Sequence, residues 1–334
     1  MIKIFEETTR LQKMLDVEAA LAWAHAQVGN IPKSDAEKII TRASLKYVKL
    51  DRVKEIERDI KHDTAALVRA LAESCGESGA YVHLGATSSD IKDTATALEL
   101  RDALDLIEKK LCKLHEILGQ KTGLHKEDTS IGRRHDQYAM RGILRYNIGA
   151  LRTETSRNFQ RLRQCGERVL VGKMSGAVGT QAGLGRNAMK IQELVMQRLG
   201  IRAADISTQI VQRDRYAELV CVLSLVAVSL ENFATGIQEL ERSRKSEFFA
   251  VLEAKRQVEN PRMPHERNQE ICGRVCGLAR IVRSLVIPAL EDITTWHERD
   301  LTQSSAERFI IPEACVLVDY MIFLTIDMIT DLFH

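Results

Sequence analysis

The sequence predicts an all-α fold built as a bundle of long helices, and three observations lead to this prediction. No proline occurs between Pro32 and Pro261, and because proline breaks helix interiors, that gap permits several uninterrupted helices. Only 5% of the 334 residues are aromatic, whereas Leu, Ala, Glu, Lys and Arg are frequent. Apolar residues also recur at alternating spacings of four and three, as in the seam of a helical bundle, at Leu100, Leu104, Ile107, Leu111, Leu114 and Leu118.

Two long helices stand out along the chain. The periodic segment predicts one helix from Asp90 to Leu118, with Gly119 as its C-cap. A second helix is predicted from about Gln209 to Ser246, and its middle, LVCVLSLVAVSL, is apolar on every face. We expect other subunits to cover such a helix, so the sequence predicts an oligomer. This apolar run is too short to span a bilayer, which takes roughly 20 residues.

Composition and charge narrow the classes of partner. The 48 Lys and Arg residues nearly balance the 46 Asp and Glu residues, and no block of like charge suggests a nucleic-acid arm or a membrane patch. A small soluble substrate is therefore expected. The seven cysteines are scattered, and free thiols suit a reducing cytosol. The N-terminal MIKIFEETTRLQK lacks the apolar region of a signal peptide, so a cytoplasmic location is predicted.

Two polar segments allow both a structural and a functional interpretation. TSSD, residues 87–90, supplies capping side chains at the start of the first long helix, and the positive helix end could equally bind an anion. TTWHERDLTQSSAER, residues 294–308, reads as a solvated loop with helix caps or as a carboxylate or phosphate site, because guanidinium groups bind both anions through two hydrogen bonds.

The histidines lie in several separate polar clusters. His62 precedes Asp63, His135 lies between Arg134 and Asp136, and His83 opens the stretch HLGATSSD. A histidine beside a charge is most often an ordinary surface or core residue. Polar clusters on separate helices of one bundle can nevertheless converge on a single cleft. The residues themselves predict an oligomeric helical bundle with anion-binding clusters, and nothing finer.

The chain contains the blocks YVHLGATSSDIKDTA, VGKMSGAVGTQ, ISTQIVQRDRYAE and WHERDLTQSSAERFIIPEA. These four blocks resemble adenylosuccinate lyases, a family of the fumarase/aspartase superfamily. The resemblance extends over essentially the whole chain. It implies a fumarase/aspartase-like long-helix bundle that forms the core of a homotetramer, with active sites built from three subunits. The implied reaction releases fumarate from adenylosuccinate, or from the succinylated imidazole carboxamide ribotide of purine synthesis. No metal or organic cofactor is implied.

The resemblance also assigns roles to individual positions. His135 matches the general acid, and His62 belongs to a histidine–aspartate pair at the substrate. Thr87 and Ser88 match residues that hold the succinyl carboxylate. The remaining matched positions are expected to bind other parts of the substrate: Asp63, His83, Gln209, Asn268, Arg299, Ser304 and Arg308.

The sequence departs from the family in its signature loop, residues 258–269. Asn260 aligns with the serine that acts as the catalytic base, and Glu266 aligns with a lysine. An amide cannot take the proton, and losing one general base typically costs about 10²- to 10⁴-fold in rate. Three hypotheses follow: an active lyase, a lyase of altered specificity with Glu259 as its base, and a catalytically inactive paralogue or fragment. The inactive form would bind nucleotide or join an intact lyase in a mixed oligomer.

The predicted domain organisation follows the same resemblance. Residues 1–104 are expected to form an N-terminal helical domain, and residues 105–334 a central long-helix bundle that includes the signature loop. The small C-terminal helical domain of the family is expected to be absent, since the chain stops in MIFLTIDMITDLFH.

Overall fold

The structure is a computed structural model that describes the backbone of residues 1–124, 131–134, 137–141, 143–242 and 270–332. Side chains are described for residues 1–121, 147–239 and 270–330. The helices are α1 (Glu7–Gln27), α2 (Lys33–Arg42), α3 (Leu50–Ile60), α4 (Asp63–Cys75), α5 (Ser88–Leu124), α6 (Ile143–Val169), α7 (Ala188–Leu199), α8 (Asp214–Arg242), α9 (Glu270–Ser284), α10 (Val286–Glu291) and α11 (Thr302–Leu332). The all-α prediction is confirmed.

Strands form only two short pairs in the described part of the chain. β1 (Ile131–Arg134) pairs antiparallel with β2 (Gln137–Arg141), and β3 (Val171–Gly172) pairs parallel with β4 (Arg202–Ala203). Among the residues that the structure describes, three 3-10 helices complete the regular structure, at Ile2–Ile4, Gly76–Tyr81 and Ala182–Asn187.

The chain divides into two compact units, each assembled from three separate segments. The first unit comprises Met1–Leu104, Gly166–Tyr216 and Leu290–Arg308, and the second comprises Asp105–Cys165, Ala217–Ala289 and Phe309–His334. Residue 104 thus ends a segment of the first unit. The division into two consecutive domains, 1–104 and 105–334, stays a prediction, as does the absence of a C-terminal domain.

The core of the first unit is built around α1. This helix packs against α2 and α7, while α3 packs against α4. Its inward face carries small and branched residues, such as Leu15, Val17, Ala20 and Leu21, each of which is at most 1% exposed. Removing such side chains from water is the main force that holds helices together. The N-terminal ends of α4 and α5 carry polar side chains instead.

The leucine seam of α5 is buried as its spacing predicts. All six seam residues, from Leu100 to Leu118, are at most 3% exposed. The helix is longer than predicted, because it starts at Ser88 and runs through Gly119 to Leu124. Gly119 is therefore not a C-cap. A Cβ atom at this position would lie 3.1 Å from the guanidinium group of Arg152, so glycine allows the close approach of that side chain.

Helix α8 begins at Asp214, five residues later than predicted. The Val211 N–H donates a hydrogen bond of 2.8 Å to the Asp93 carboxylate, so residues before Asp214 are held by a side chain rather than by helical hydrogen bonds. The predicted end at Ser246 lies outside the described residues. Within a single chain the helix is not buried on every face, since Leu225 is 48% and Val228 is 38% exposed.

Two helices are long and apolar enough to cross a membrane by length and composition: Asp214–Glu239 and Thr302–Thr330. Of the most apolar window in each, 56% is buried inside the chain. Core helices of soluble proteins pass the same test, so this property is weak support for a membrane span.

Candidate active site

The N-terminal end of α5 is closed by a reciprocal pair of hydrogen bonds. The Thr87 N–H donates to Asp90 Oδ2 over 2.8 Å, and the Asp90 N–H donates to the Thr87 carbonyl over 2.9 Å. The Asp90 carboxylate supplies the acidic half of a capping box, three positions after the cap, while the Thr87 carbonyl takes the place of the cap hydroxyl as acceptor. The capping interpretation of residues 87–90 is confirmed. The first turn of a helix also carries N–H groups that no helical carbonyl accepts, at the positive end of the helix dipole.

Asp90 also ties the glycine-rich segment, residues 165–190, to this helix end. Its Oδ1 atom accepts hydrogen bonds from the Lys173 ammonium and from the Ser175 N–H, the latter at 2.9 Å. The side chains of Asp90 and Lys173 are both fully buried. A buried ion pair is costly to break, because the remaining charge would lie unpaired in a medium of low polarity. The pair therefore holds residues 173–176 firmly against the start of α5.

A second cluster surrounds Asp63, the first residue of α4. Its Oδ2 atom lies 2.6 Å from Lys92 Nζ and 3.3 Å from an Arg308 guanidinium nitrogen. Burial opposes ionisation, but the hydrogen bond and charge of Lys92, with further help from the Thr64 N–H and Arg308, lower the pKa of Asp63. Asp63 is thus a carboxylate that holds two cations. His62 is the N-cap of α4, and its Nδ1 accepts from the Ala65 N–H at 3.2 Å.

Arg299 approaches the same end of α5 from the segment before α11. One of its terminal nitrogens donates to Ser89 Oγ over 3.2 Å. Its Nε atom is buried and has no hydrogen-bond partner among the described residues. The neighbouring Glu298 carbonyl accepts from Thr208 Oγ1 at 2.9 Å, which brings the segment before Gln209 next to Arg299. The site therefore contains a guanidinium group with an unused donor.

His83 has a left-handed backbone, with φ of +62°, and is fixed by a buried acid. Its Nδ1 lies 2.6 Å from Oε1 of Glu18, whose side chain is 1% exposed. Burial alone would lower the pKa of His83, but the charge and hydrogen bond of Glu18, with the nearby Asp90, raise it above the ordinary value. His83 is therefore a cation over a wider pH range than a free histidine, and its second nitrogen is a donor in that form.

Arg213 joins three of the segments that build the site. Its guanidinium group binds both oxygens of Asp93, at 2.9 and 3.1 Å, and also the carboxylate of Glu307. Burial raises the pKa of Glu307, and Arg213 opposes that shift. Asp93 follows Lys92 on α5, and Glu307 precedes Arg308 on α11. This buried arginine therefore fixes the positions of two charged groups of the Asp63 cluster.

Comparison with known proteins places the chain in a family. A family model described as "Lyase" matches residues 1–282. An adenylosuccinate lyase of Pyrococcus horikoshii is 51% identical over 324 residues, which cover 96% of this chain and 71% of that protein. An adenylosuccinate lyase of Methanothermobacter thermautotrophicus is 46% identical over 330 residues, covering 98% of this chain and 74% of that protein. The chain belongs to the adenylosuccinate lyase family.

Solved structures place the family in its wider fold group. The crystal structure of fumarate lyase from Mesorhizobium sp. BNC1 has a TM-score of 0.85 and 27% identity, covering 98% of this chain and 74% of that one. A 3-carboxy-cis,cis-muconate lactonizing enzyme from Pseudomonas putida has a TM-score of 0.82 and 32% identity, covering 97% and 72%. The same fold therefore supports several reactions, and the side chains of the site determine which reaction a given protein catalyses.

The structure brings together some of the positions that the adenylosuccinate lyase resemblance assigns. Hydrogen bonds link Asp63 to Arg308, and Arg299 to the first turn of α5 beside Thr87 and Ser88. Gln209 and Ser304 belong to segments anchored at this site, although no hydrogen bond joins either side chain to another assigned residue within the described ranges. His135, Asn260 and Asn268 lie outside the described residues.

Sequence reasoning missed four charged residues that the structure places in this group: Glu18, Lys92, Asp93 and Arg213. The signal for Lys92 was available, because it lies four residues after Ser88 and so shares the helix face of the capping residues. Glu18 carried no such signal, since it lies on a different helix. No group of three His, Cys, Asp or Glu side chains could hold a metal ion among the described residues.

Proposed function

We propose that this protein cleaves the C–N bond of adenylosuccinate, releasing fumarate and leaving AMP. The same β-elimination would act on the succinylated imidazole carboxamide ribotide of purine synthesis. The observation that carries this proposal is the meeting of three distant segments, around Asp63, Thr87–Ser89 and Arg299–Arg308, at the N-terminal end of α5. Family membership supports the choice of substrate.

The chemistry needs three contributions, and the described residues account for one of them. A base removes a proton beside a carboxylate, an acid protonates the departing nitrogen, and fixed donors stabilise the charge that develops. Arg299, Arg308 and the α5 helix end supply cationic and N–H donors for carboxylate or phosphate oxygens. We assign the acid role to His135, by resemblance.

A second candidate function is nucleotide binding without turnover, by a catalytically inactive paralogue or fragment. The observation that favours it is Asn260, an amide at the position of the catalytic serine. Glu259 beside it is the nearest titratable group in the sequence. The two functions share the anion-binding residues and differ only in whether a base is present.

Fumarate release from adenylosuccinate by the purified full chain separates these functions. We expect slow turnover, about 10²- to 10⁴-fold below that of a lyase with its serine base, because Asn260 cannot act as the general base. A His135→Ala variant must lose the remaining activity, which excludes a contaminating host enzyme. No release from a folded chain that still binds AMP would establish the second function. Loss of turnover in Glu259→Gln would identify the replacement base.

We also propose that the protein is a homotetramer in the cytoplasm. Exposed apolar side chains on α8, at Leu225 and Val228, support association through this helix rather than exposure to water. A mixed oligomer with an intact lyase is the alternative assembly, and it would supply the missing loop from another chain. Co-expression with a complete lyase followed by affinity capture tests this, and recovery of a single species would exclude mixing.

A further inference from the structure

Lys92 lies in the candidate site without an assigned role. It is four residues after Ser88, on the first turns of α5, and its side chain is 19% exposed. Its ammonium lies 2.6 Å from Asp63 Oδ2, the oxygen that also faces Arg308. A lysine held on a rigid helix beside two predicted substrate-binding residues is placed to contact the same ligand.

The charges around Lys92 do not balance. Asp63, Arg308 and Arg299 are the charged groups that most affect Lys92, and only Lys92 and Arg308 contact the Asp63 carboxylate directly. Burial and the two arginines lower the pKa of Lys92, while Asp63 opposes the shift. Asp300 offsets part of this excess, because its charge interacts with Arg299, although its carboxylate oxygens accept hydrogen bonds from the N–H groups of Trp296 and Thr302.

Unused donors accompany the excess of positive charge. Arg299 Nε is buried without a hydrogen-bond partner among the described residues, and a buried donor left unsatisfied costs about 1 to 3 kcal/mol. The first turn of α5 adds N–H groups that no helical carbonyl accepts. An anionic oxygen at this position would satisfy the donors and offset the charge together.

We propose that Lys92 binds an anionic oxygen of the substrate, together with Arg299 and Arg308, while Asp63 holds its ammonium in place. The oxygen belongs to a carboxylate or a phosphate group, and both are present in the substrate proposed above. The inference rests on the proposed function for the identity of that substrate only, since the anion site itself is defined by the side chains.

Direct binding measurements on the full chain test this inference. Calorimetric titrations with fumarate, AMP and inorganic phosphate compare the wild type with Lys92→Met and Lys92→Arg. We expect Lys92→Met to weaken the binding of at least one anion by about 10- to 100-fold, as loss of a charged hydrogen bond does. Lys92→Arg should retain most of the affinity, because it keeps the charge. A loss confined to fumarate identifies a carboxylate, and a loss confined to AMP identifies the phosphate.

A matched control is provided by Lys13, whose ammonium lies 2.5 Å from Asp102 and whose side chain is 16% exposed. Lys13→Met should leave all three affinities unchanged. Equal behaviour of Lys92→Met and Lys13→Met would overturn the inference, as would a wild type that binds none of the three anions. Phosphate binding that depends on Lys92, without binding of AMP or fumarate, would uphold the anion site and contradict the proposed substrate.

Discussion

The pairing of His83 with Glu18 gives one residue of the site a pH-dependent charge. The histidine is largely buried and its pKa is raised, with Glu18 as the largest favourable influence. A raised folded-state pKa means that the pair stabilises the fold fully below the ordinary value of 6.5. That stabilisation is lost as the pH rises through the folded-state pKa. The pair therefore links the protonation of a predicted substrate-binding residue to folding.

Replacing Glu18 with glutamine should lower the pKa of His83, because it removes the opposite charge at hydrogen-bond distance that favours the protonated ring. The amide keeps the size of the side chain and removes its charge. Nuclear magnetic resonance of labelled histidine side chains measures this pKa. The free energy of unfolding of Glu18→Gln should fall furthest below that of the wild type under acidic conditions, and the difference should narrow as the pH rises.

A suitable control is Glu99→Gln, because the Glu99 side chain is also 1% exposed and pairs with Arg10 instead of a histidine. Its effect on the His83 titration should be negligible. A His83 pKa that stays constant in Glu18→Gln would refute the assigned cause of the shift.

Single residues of the site were predictable only where a motif carried them. Thr87, Arg299 and Arg308 belong to recognisable blocks and Asp63 to a histidine–aspartate pair, and the structure places them near one helix end. Lys92 was overlooked because a lysine on a helix surface is usually solvated, and only its contact with Asp63 distinguishes it. A partner on another helix, as Glu18 is for His83, depends on tertiary packing that no local spacing encodes.

At the scale of elements, the turn before α5 and the 3-10 helix Ala182–Asn187 approach each other through glycine backbones. Gly85 has φ of +70°, and a Cβ atom there would lie 2.3 Å from the carbonyl oxygen of Gly183. Both obstacles are backbone features, so no side-chain rotation relieves them. The loop that carries His83 and Thr87 therefore packs directly on the glycine-rich segment 165–190.

Gly85→Ala should lower the free energy of unfolding by about 1 to 3 kcal/mol for the steric overlap, in addition to about 1 to 2 kcal/mol for a left-handed backbone. Gly29→Ala separates the two costs, because Gly29 has φ of +79° and a Cβ atom there would have no neighbouring atom within 4 Å. Urea denaturation of both variants measures the difference. Equal losses of unfolding free energy in Gly85→Ala and Gly29→Ala would mean that the overlap with Gly183 has no energetic cost.

The long helices were predictable because their seams repeat over many turns, whereas their ends were not. The α5 seam is buried as expected, yet the helix continues through Gly119. There the Arg152 guanidinium group occupies the space next to the glycine that a side chain would fill. The start of α8 is influenced by Asp93, whose carboxylate accepts a hydrogen bond from the Val211 N–H. In both cases a side chain distant in sequence overrode the local signal, as tertiary contacts often do.

At the scale of the whole molecule, the exposed apolar residues of α8 predict association. We expect the purified chain to sediment as a species larger than one chain, because Leu225 and Val228 otherwise remain in water. Leu225→Arg should shift the protein towards smaller species. Met189→Arg, at a position 69% exposed on α7, should leave the sedimentation unchanged. A wild type that sediments as a monomer at micromolar concentration would contradict the proposed tetramer.

The segmented make-up of the first unit has a consequence for its synthesis on the ribosome. Arg213 is neutralised by Asp93 and by Glu307, so this contact waits until the chain has been translated past residue 307. At rates of about 5 to 20 residues per second, the stretch from residue 104 to residue 308 takes roughly 10 to 40 seconds to emerge. Until that interval ends, the nascent chain carries α1 to α4 without the last of the three segments that complete their unit. Translation speed and chaperone access thus bear directly on the yield of the native protein.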